Sequence, residues 1–438
     1  VNAADATGRS VPPPRPRPAP PSDPVLDAVA RLGDGPLTEA AVREHVKPLF
    51  SRVLARPGIY LANHSLGRPL DRTADDVREA VDLWYADMDD AWIPWLDELR
   101  RFRRSVASLI GLGDASAVVP KTAAGQGLRA VLNAIDSPKP RVVATRGEFD
   151  SLDFILKTYA ARGRAEVTWV EPTAGPDHRG SLPDLFEADA IIDAVRRGPA
   201  PDLVVVSQIC FGTGQLMTDL PRVVTAAHAV RALVLLDTYH SAGVVPVRFD
   251  ELGPDFAVGG AYKYLRGGPG ACWLAIHPRH LRDAAAMPAG RPRLRTLDTG
   301  WFAKRDPFSY ARPDTPELSD GGDAWLESTP AVLPFYQARA GLDFTLAIGV
   351  DRLRSYNLAQ QALLAGELRA RDVRVREIDP RGAFLLLPHP DAAAWCATLR
   401  SRGLIADARG PHIRLCPDIL TSAEEMERAA EIVADSLG

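Results

Sequence analysis

The sequence predicts an α/β fold, with a large domain on a mainly parallel sheet covered by helices and a smaller α+β domain after it. Three observations predict this. The chain has 438 residues, more than one hydrophobic core usually organises, so two domains are expected. Beyond residue 110, short apolar runs alternate with stretches of helical periodicity, which implies crossover units and a parallel sheet. From about residue 333 the pattern changes. Two helical stretches precede the runs VRVREID, AFLLLP and HIRLCP, with further helices between and after them.

Composition narrows the class. The apolar fraction is 46% and the charged fraction 25%, both ordinary for a globular protein. The formal charge of −4 gives no reason to expect a nucleic-acid partner. No apolar run approaches the roughly 18 residues of a membrane span, so none is expected. Cys210, Cys272, Cys396 and Cys416 form no CxxC pair, which fits a reduced, cytoplasmic protein and argues against a zinc site. The first residues lack the basic start and apolar stretch of a secretory signal. Residues 11–24 read VPPPRPRPAPPSDP, a stretch unable to bury apolar surface, so residues 1–25 are expected to form a disordered tail.

The elements follow in order. Helical spacing over 26–60 predicts an N-terminal segment that packs with the small domain. The helical spacing ends near Leu54, and IYLANHSLG (59–67) then reads as a short strand entering a turn. Residues 73–85 and 92–110 carry apolar side chains at three-and-four spacing and predict amphipathic helices. RVVAT (141–145), AEVTWV (165–170), DLVVVS (202–207) and ALVLLD (232–237) are the short apolar runs of the parallel sheet. The expected division is a large domain over 61–329 and a small one over 330–438. Ligands of open parallel sheets bind beyond the carboxyl ends of the strands, so Thr145, Ser207, Asp237 and the turn at 121–127 are the positions to examine.

Four segments carry chemistry. KTAAGQG (121–127) opens a helix over 126–135, and free N–H groups at a helix start favour a phosphate, with Thr122 adding a hydroxyl. It is no Walker loop, since no GK[ST] follows. Asp237 ends LVLLD, and a carboxylate at the end of a buried strand needs a partner. A protonated pyridine nitrogen is such a partner, and it keeps the ring of pyridoxal phosphate an electron sink. His240, three residues on, packs near such a ring or is a satisfied structural histidine. Lys263 sits in GGAYKYLRGGPGACWLAI, among apolar and small residues where lysines are rarely buried without a function. A desolvated lysine is a competent Schiff-base nucleophile, and Tyr262 beside it offers a hydroxyl for phosphate or proton exchange.

DTYH followed by AYKYLRGGPGA resembles the kynureninases, a branch of the fold type I, aminotransferase class V-like enzymes that use pyridoxal 5′-phosphate. NHSLG (63–67), SQICFGTGQ (207–215), TGWF (299–302) and IRLCP (413–417) resemble further elements of that family in the same order. The resemblance runs from about residue 61 to the C-terminal end. It implies that Lys263 binds the cofactor covalently and that Asp237 pairs with its ring nitrogen. Lys121 and Thr122 would supply backbone and hydroxyl contacts to the phosphate, with Ser207, Tyr262 and Trp301 completing its surroundings. Phe149 would stack on the ring and His240 lie beside it. Ser65 would lie near the substrate, and Arg414 would hold its α-carboxylate through a bidentate pair. The family's site forms between two subunits, which implies a homodimer.

Some positions depart from the pattern. Thr329 stands where the family has an asparagine that helps recognise the kynurenine side chain. The family's histidine near the substrate ring is missing from YADMDDAWIPW, the segment before Trp95. The family's aspartate after the stacking phenylalanine falls on Asp150 or Asp153, each after a small shift, and Asp153 is taken as the cofactor-side residue. The expected activity is therefore kynureninase-like cleavage of an L-amino acid side chain, by Cβ–Cγ hydrolysis or β-elimination, on a substrate other than kynurenine. The alternatives are an aminotransferase or a decarboxylative or oxidative deaminase of a specialised-metabolite amino acid. A non-catalytic binding protein is disfavoured by the presence of Lys263.

Overall fold

The computed structural model describes residues 23–173, 185–281, 294–310, 312–376 and 378–437. The expected tail lies outside them as far as residue 22, but its boundary at 25 is too late. A helix starts at Pro24, capped by Asp23, and Val25 is wholly buried. Proline at the first helical position has no N–H to leave unsatisfied, so the helix begins where the proline-rich stretch ends. The N-terminal segment forms several short helical pieces rather than one helix. Its Val29, Val46 and Phe50 pack against Phe344, Ile348 and Ile419.

The strands in chain order are β1 (Ile59–Tyr60), β2 (Val118–Lys121), β3 (Arg141–Thr145), β4 (Glu166–Val170), β5 (Leu203–Ser207), β6 (Leu233–Asp237), β7 (Phe256–Gly260), β8 (Cys272–Ile276), β9 (Leu385–Pro388), β10 (Leu404–Ile405), β11 (Asp407–Arg409) and β12 (His412–Leu415). β2 to β8 form one sheet in the order β2-β8-β7-β6-β5-β3-β4, in which β8 alone runs antiparallel. Every residue of β5, β6 and β7 is buried, as expected of central strands with helices on both faces. β11-β12-β9 form a small antiparallel sheet. The four predicted parallel strands and the helices Thr73–Asp87 and Trp92–Ile110 lie where periodicity put them. The described residues of VRVREID form no strand and contribute one bridge, Arg376 to Leu386.

Three features position the site. The chain reverses its direction of travel across the sheet between β3 and β5, which opens a crevice at their carboxyl ends. β1 pairs with β10, so the 59–67 segment leaves the small sheet and reaches the loop after β7. There Gly67 N–H donates to Tyr262 C=O at 2.8 Å, and a Cβ on Gly67 would stand 1.9 Å from Lys263 O, so only glycine fits. Finally, the buried Asp418 carboxylate pairs with both Arg68 and Arg266, joining the 59–68 segment, the Lys263 loop and the turn after β12.

Candidate active site

A cleft of about 420 Å³ opens beyond the carboxyl ends of β6 and β7. Its wall includes Thr122, Phe149, Asp237, Tyr239, Tyr262 and Lys263. Lys263 lies three residues past β7 and is only 3% exposed. Its Nζ donates to His240 Nε2 at 2.5 Å and lies 5.1 to 5.5 Å from the ring centres of Phe149, Tyr239 and Tyr262. Burial among these rings pushes the amine well below its ordinary value, against the pull of the Asp237 carboxylate.

Asp237 ends β6, as its sequence position predicts. Burial raises its carboxyl, opposed by the Tyr239 N–H at 2.8 Å and by Lys263. Among the described residues that N–H is the carboxylate's one hydrogen-bond donor. The Nδ1 of buried His240 has no partner at all among them. Burial first, then Lys263 and Arg414, keep this imidazole well below its ordinary value and therefore neutral.

At the other end of the cleft the helix Ala124–Leu132 begins at Ala123 with no side-chain cap on its free N–H groups. Thr122 is oriented there by Gln126, whose Oε1 accepts from both its N–H and its hydroxyl. An uncapped helix start, a buried carboxylate short of donors and a desolvated lysine are the complements of a phosphate, a protonated ring nitrogen and an aldehyde. The residues present thus fit pyridoxal phosphate.

Other expected residues lie elsewhere. The Lys121 side chain turns away from the cleft, its Nζ donating to Trp325 C=O at 3.2 Å and to Glu327 Oε1 at 2.6 Å, which leaves the expected phosphate contact to its backbone. Asp153 is not at the cofactor cleft. It pairs with Lys157 at 2.6 Å, and Ser151 and Leu152 line the wall instead. The segment is the helix Asp150–Ala161, where successive residues turn by about 100°, and the face made by Ser151, Leu152, Phe154 and Ile155 meets the cleft while Asp153 falls on the opposite one. Asp150 is exposed at the start of that helix. Trp301 donates its indole N–H to Thr329 Oγ1 at 3.3 Å, and neither residue lines the cleft.

Ser207 donates to Glu148 Oε2 at 2.6 Å, and Thr145 donates to Glu148 Oε1 at 2.6 Å. Glu148 therefore spans the crevice between β3 and β5. Its carboxyl is pushed up to about 7, by burial first and then by Asp237, against those hydrogen bonds. Sequence reading missed Glu148, although its place beside Phe149 was a usable signal. It also missed Asp407, which gathers both residues expected to meet the substrate. Asp407 accepts from Arg414 Nε at 2.8 Å and Nη2 at 2.5 Å, from His64 Nε2 at 2.7 Å, and from the Ser65 hydroxyl. Arg414, 2% exposed, also donates from Nη1 to Phe211 C=O at 2.5 Å. The Phe211 ring stands edge-on to Phe149 at 5.3 Å, so this cluster lies one ring away from the cleft wall.

The lowered Lys263 predicts how the apoprotein takes up cofactor. The rate of covalent attachment of pyridoxal phosphate should rise with pH as the amine loses its proton, and level off well below 10.5, the ordinary lysine value. Stopped-flow absorbance across pH checks this. A rate still climbing toward pH 10.5 would show an unperturbed amine.

The aminotransferase class-V family model matches residues 95–381. The chain is 29% identical to the kynureninase of Pseudomonas fluorescens over 374 residues, covering 81% of this chain and 83% of that one. It is 28% identical to the kynureninase of Geobacillus thermodenitrificans, covering 86% and 87%. Among solved structures, the cystine C-S lyase C-DES in complex with cysteine persulfide superimposes with a TM-score of 0.73 at 18% identity, covering 88% of this chain and 99% of that one. A cysteine desulfurase of Thermococcus onnurineus superimposes with a TM-score of 0.71 at 16% identity, covering 90% and 97%.

Proposed function

The chain belongs to the aminotransferase class-V family and takes pyridoxal 5′-phosphate as cofactor, and from that premise we propose that it cleaves the side chain of an L-amino acid in the manner of a kynureninase. The observation that carries this reading is the buried Lys263 amine, held between His240 and three aromatic rings in a cleft that ends at a free helix start.

Lys263 would hold the cofactor covalently, Asp237 its ring nitrogen, and Thr122 with the start of the helix Ala124–Leu132 its phosphate. Phe149 and His240 would flank the ring. When bound, the cofactor supplies a cationic ring that takes up electron density from the bonds at the substrate α-carbon. Lys263 Nζ is a desolvated amine and, once free, would take the α-proton. Tyr262, whose burial raises its hydroxyl above the ordinary tyrosine value, stays protonated and able to donate. Arg414 would meet the α-carboxylate, with Ser65 near the substrate. Trp301 and Thr329 lie off this cleft, which supports a homodimer in which they complete the neighbouring site.

The substrate we propose is a β-substituted L-amino acid other than kynurenine. Thr329 offers one hydroxyl where the resemblance calls for an amide, so it cannot make the paired contacts of an asparagine. A side chain left without a polar partner loses a large part of its discrimination. The test is kcat/KM measured side by side for kynurenine, hydroxykynurenine and a panel of cysteine conjugates, with products identified by mass spectrometry. Kynurenine is expected to be a poor substrate. If it proves the best one, and Thr329→Asn brings no improvement, the assignment of a changed substrate is wrong.

A further inference from the structure

Asp407 is bound by four donors, and their arrangement gives it a role. Its Oδ1 accepts from His64 Nε2 and Arg414 Nε, and its Oδ2 accepts from Arg414 Nη2 and the Ser65 hydroxyl. A carboxylate has about four lone-pair sites, so none is left to receive a substrate amine. Asp407 therefore does not itself bind the ligand.

Nor is it a latch that opens. Asp407 and Arg414 are direct cross-strand partners of β11 and β12. Residues so paired on one face have Cβ atoms about 5 Å apart, a spacing set by the sheet. The aspartate side chain is too short to swing out of that contact while the strands remain paired. It is ionised as well. Burial acts to raise it, but the hydrogen bonds from His64 and Arg414 hold it well below the usual carboxylate range.

The count of donors on Arg414 then matters. A guanidinium has five N–H groups in a rigid fork. Asp407 takes Nε–H and one on Nη2, and Phe211 C=O takes one on Nη1. Two remain among the described contacts, one on each Nη, which is enough for a two-point contact with a ligand carboxylate.

We propose that Asp407 is a positioning residue that holds the Nε–Nη2 edge of Arg414 so that the two remaining N–H groups recognise the substrate α-carboxylate. The inference rests on the reading that the substrate is an α-amino acid. Its consequence is selectivity: with the charge of Arg414 already balanced, a carboxylate is preferred over a carboxamide through directed hydrogen bonds, and these fail when the fork is free to turn.

The test uses the full chain loaded with pyridoxal phosphate, titrated with L-alanine and with L-alaninamide, and read by the absorption change of the bound cofactor. Asp407→Asn is expected to weaken L-alanine by at least about tenfold while L-alaninamide changes by less than about twofold. Asp407→Glu keeps a charge against buried Arg414 and guards against loss of fold. It is expected to weaken L-alanine selectively too, by a smaller factor. Tighter or unchanged L-alanine binding in both variants would overturn the proposal, as would equal weakening of both ligands. If the unsubstituted holoenzyme binds L-alaninamide but not L-alanine, the α-carboxylate site itself is absent, and the underlying reading fails before Asp407 is tested.

Discussion

Lys263→Ala is expected to abolish turnover and covalent attachment of the cofactor together. The general-base contribution alone is worth roughly 10²–10⁴ in rate, and the nucleophile is lost in addition. The fold should survive, because burial disfavours the charged amine, and removing it relieves that cost. Two measurements separate this from a general defect. Borohydride reduction of the unsubstituted holoenzyme followed by peptide mapping should find the pyridoxyl group on Lys263, and the variant should show no adduct. An adduct on another lysine, or a variant with near-normal turnover, would remove Lys263 from its role.

Asp237→Ala comes second. A carboxylate aimed at a ring nitrogen stabilises charge that develops during the reaction, and removing one preorganised group of this kind costs on the order of 10²–10³ in kcat. Stability should move the other way. Burial raises the Asp237 carboxyl above its ordinary 3.8, so the folded apoprotein binds the proton more tightly than the unfolded chain. That contribution is present at pH values below the unfolded value and is lost as pH rises through the folded one, so at neutral pH the ionised carboxylate is a cost. Denaturant unfolding of apo Asp237→Ala at pH 7 should therefore show no loss of stability, while the loaded variant is slow. Slow turnover together with a clear loss of apoprotein stability would make Asp237 structural. An active variant with an unchanged cofactor spectrum would remove the ring-nitrogen assignment.

Much of this architecture was legible in the chain. Central parallel strands are buried on both faces, so RVVAT, DLVVVS and ALVLLD appear as short apolar runs, and their alternation with helical stretches sets them apart from AFLLLP, an apolar run of the antiparallel sheet. Because such sheets bind ligands at their carboxyl ends, the residue closing a run is already a candidate. Asp237 was found this way, and Lys263 was found from the contrast between a charge and its apolar, glycine-rich flanks. VRVREID also has the alternation of a strand, but its described residues form only a bridge. That bridge, Arg376 to Leu386, lies on the edge of β9 that β12 leaves open, so only that position of the segment joins the small sheet.

Local pattern and covalent order were enough for the strands, the two long helices, the buried lysine and the carboxylate that ends β6, because each depends on its own neighbours in sequence. Asp153 depended on which face of the helix Asp150–Ala161 meets the cleft, and that phase is set by packing. Glu148 matters because Thr145 and Ser207, ends of two strands 62 positions apart by their numbering, converge on it. Asp407 matters because antiparallel register sets it against Arg414, while β1, pairing with β10, brings His64 and Ser65 from more than 340 positions away. A charged residue in a short edge strand has no sequence signature of such a role. Its partners exist only once the sheets have paired, and it is this long-range pairing that turns a conspicuous arginine into an oriented one.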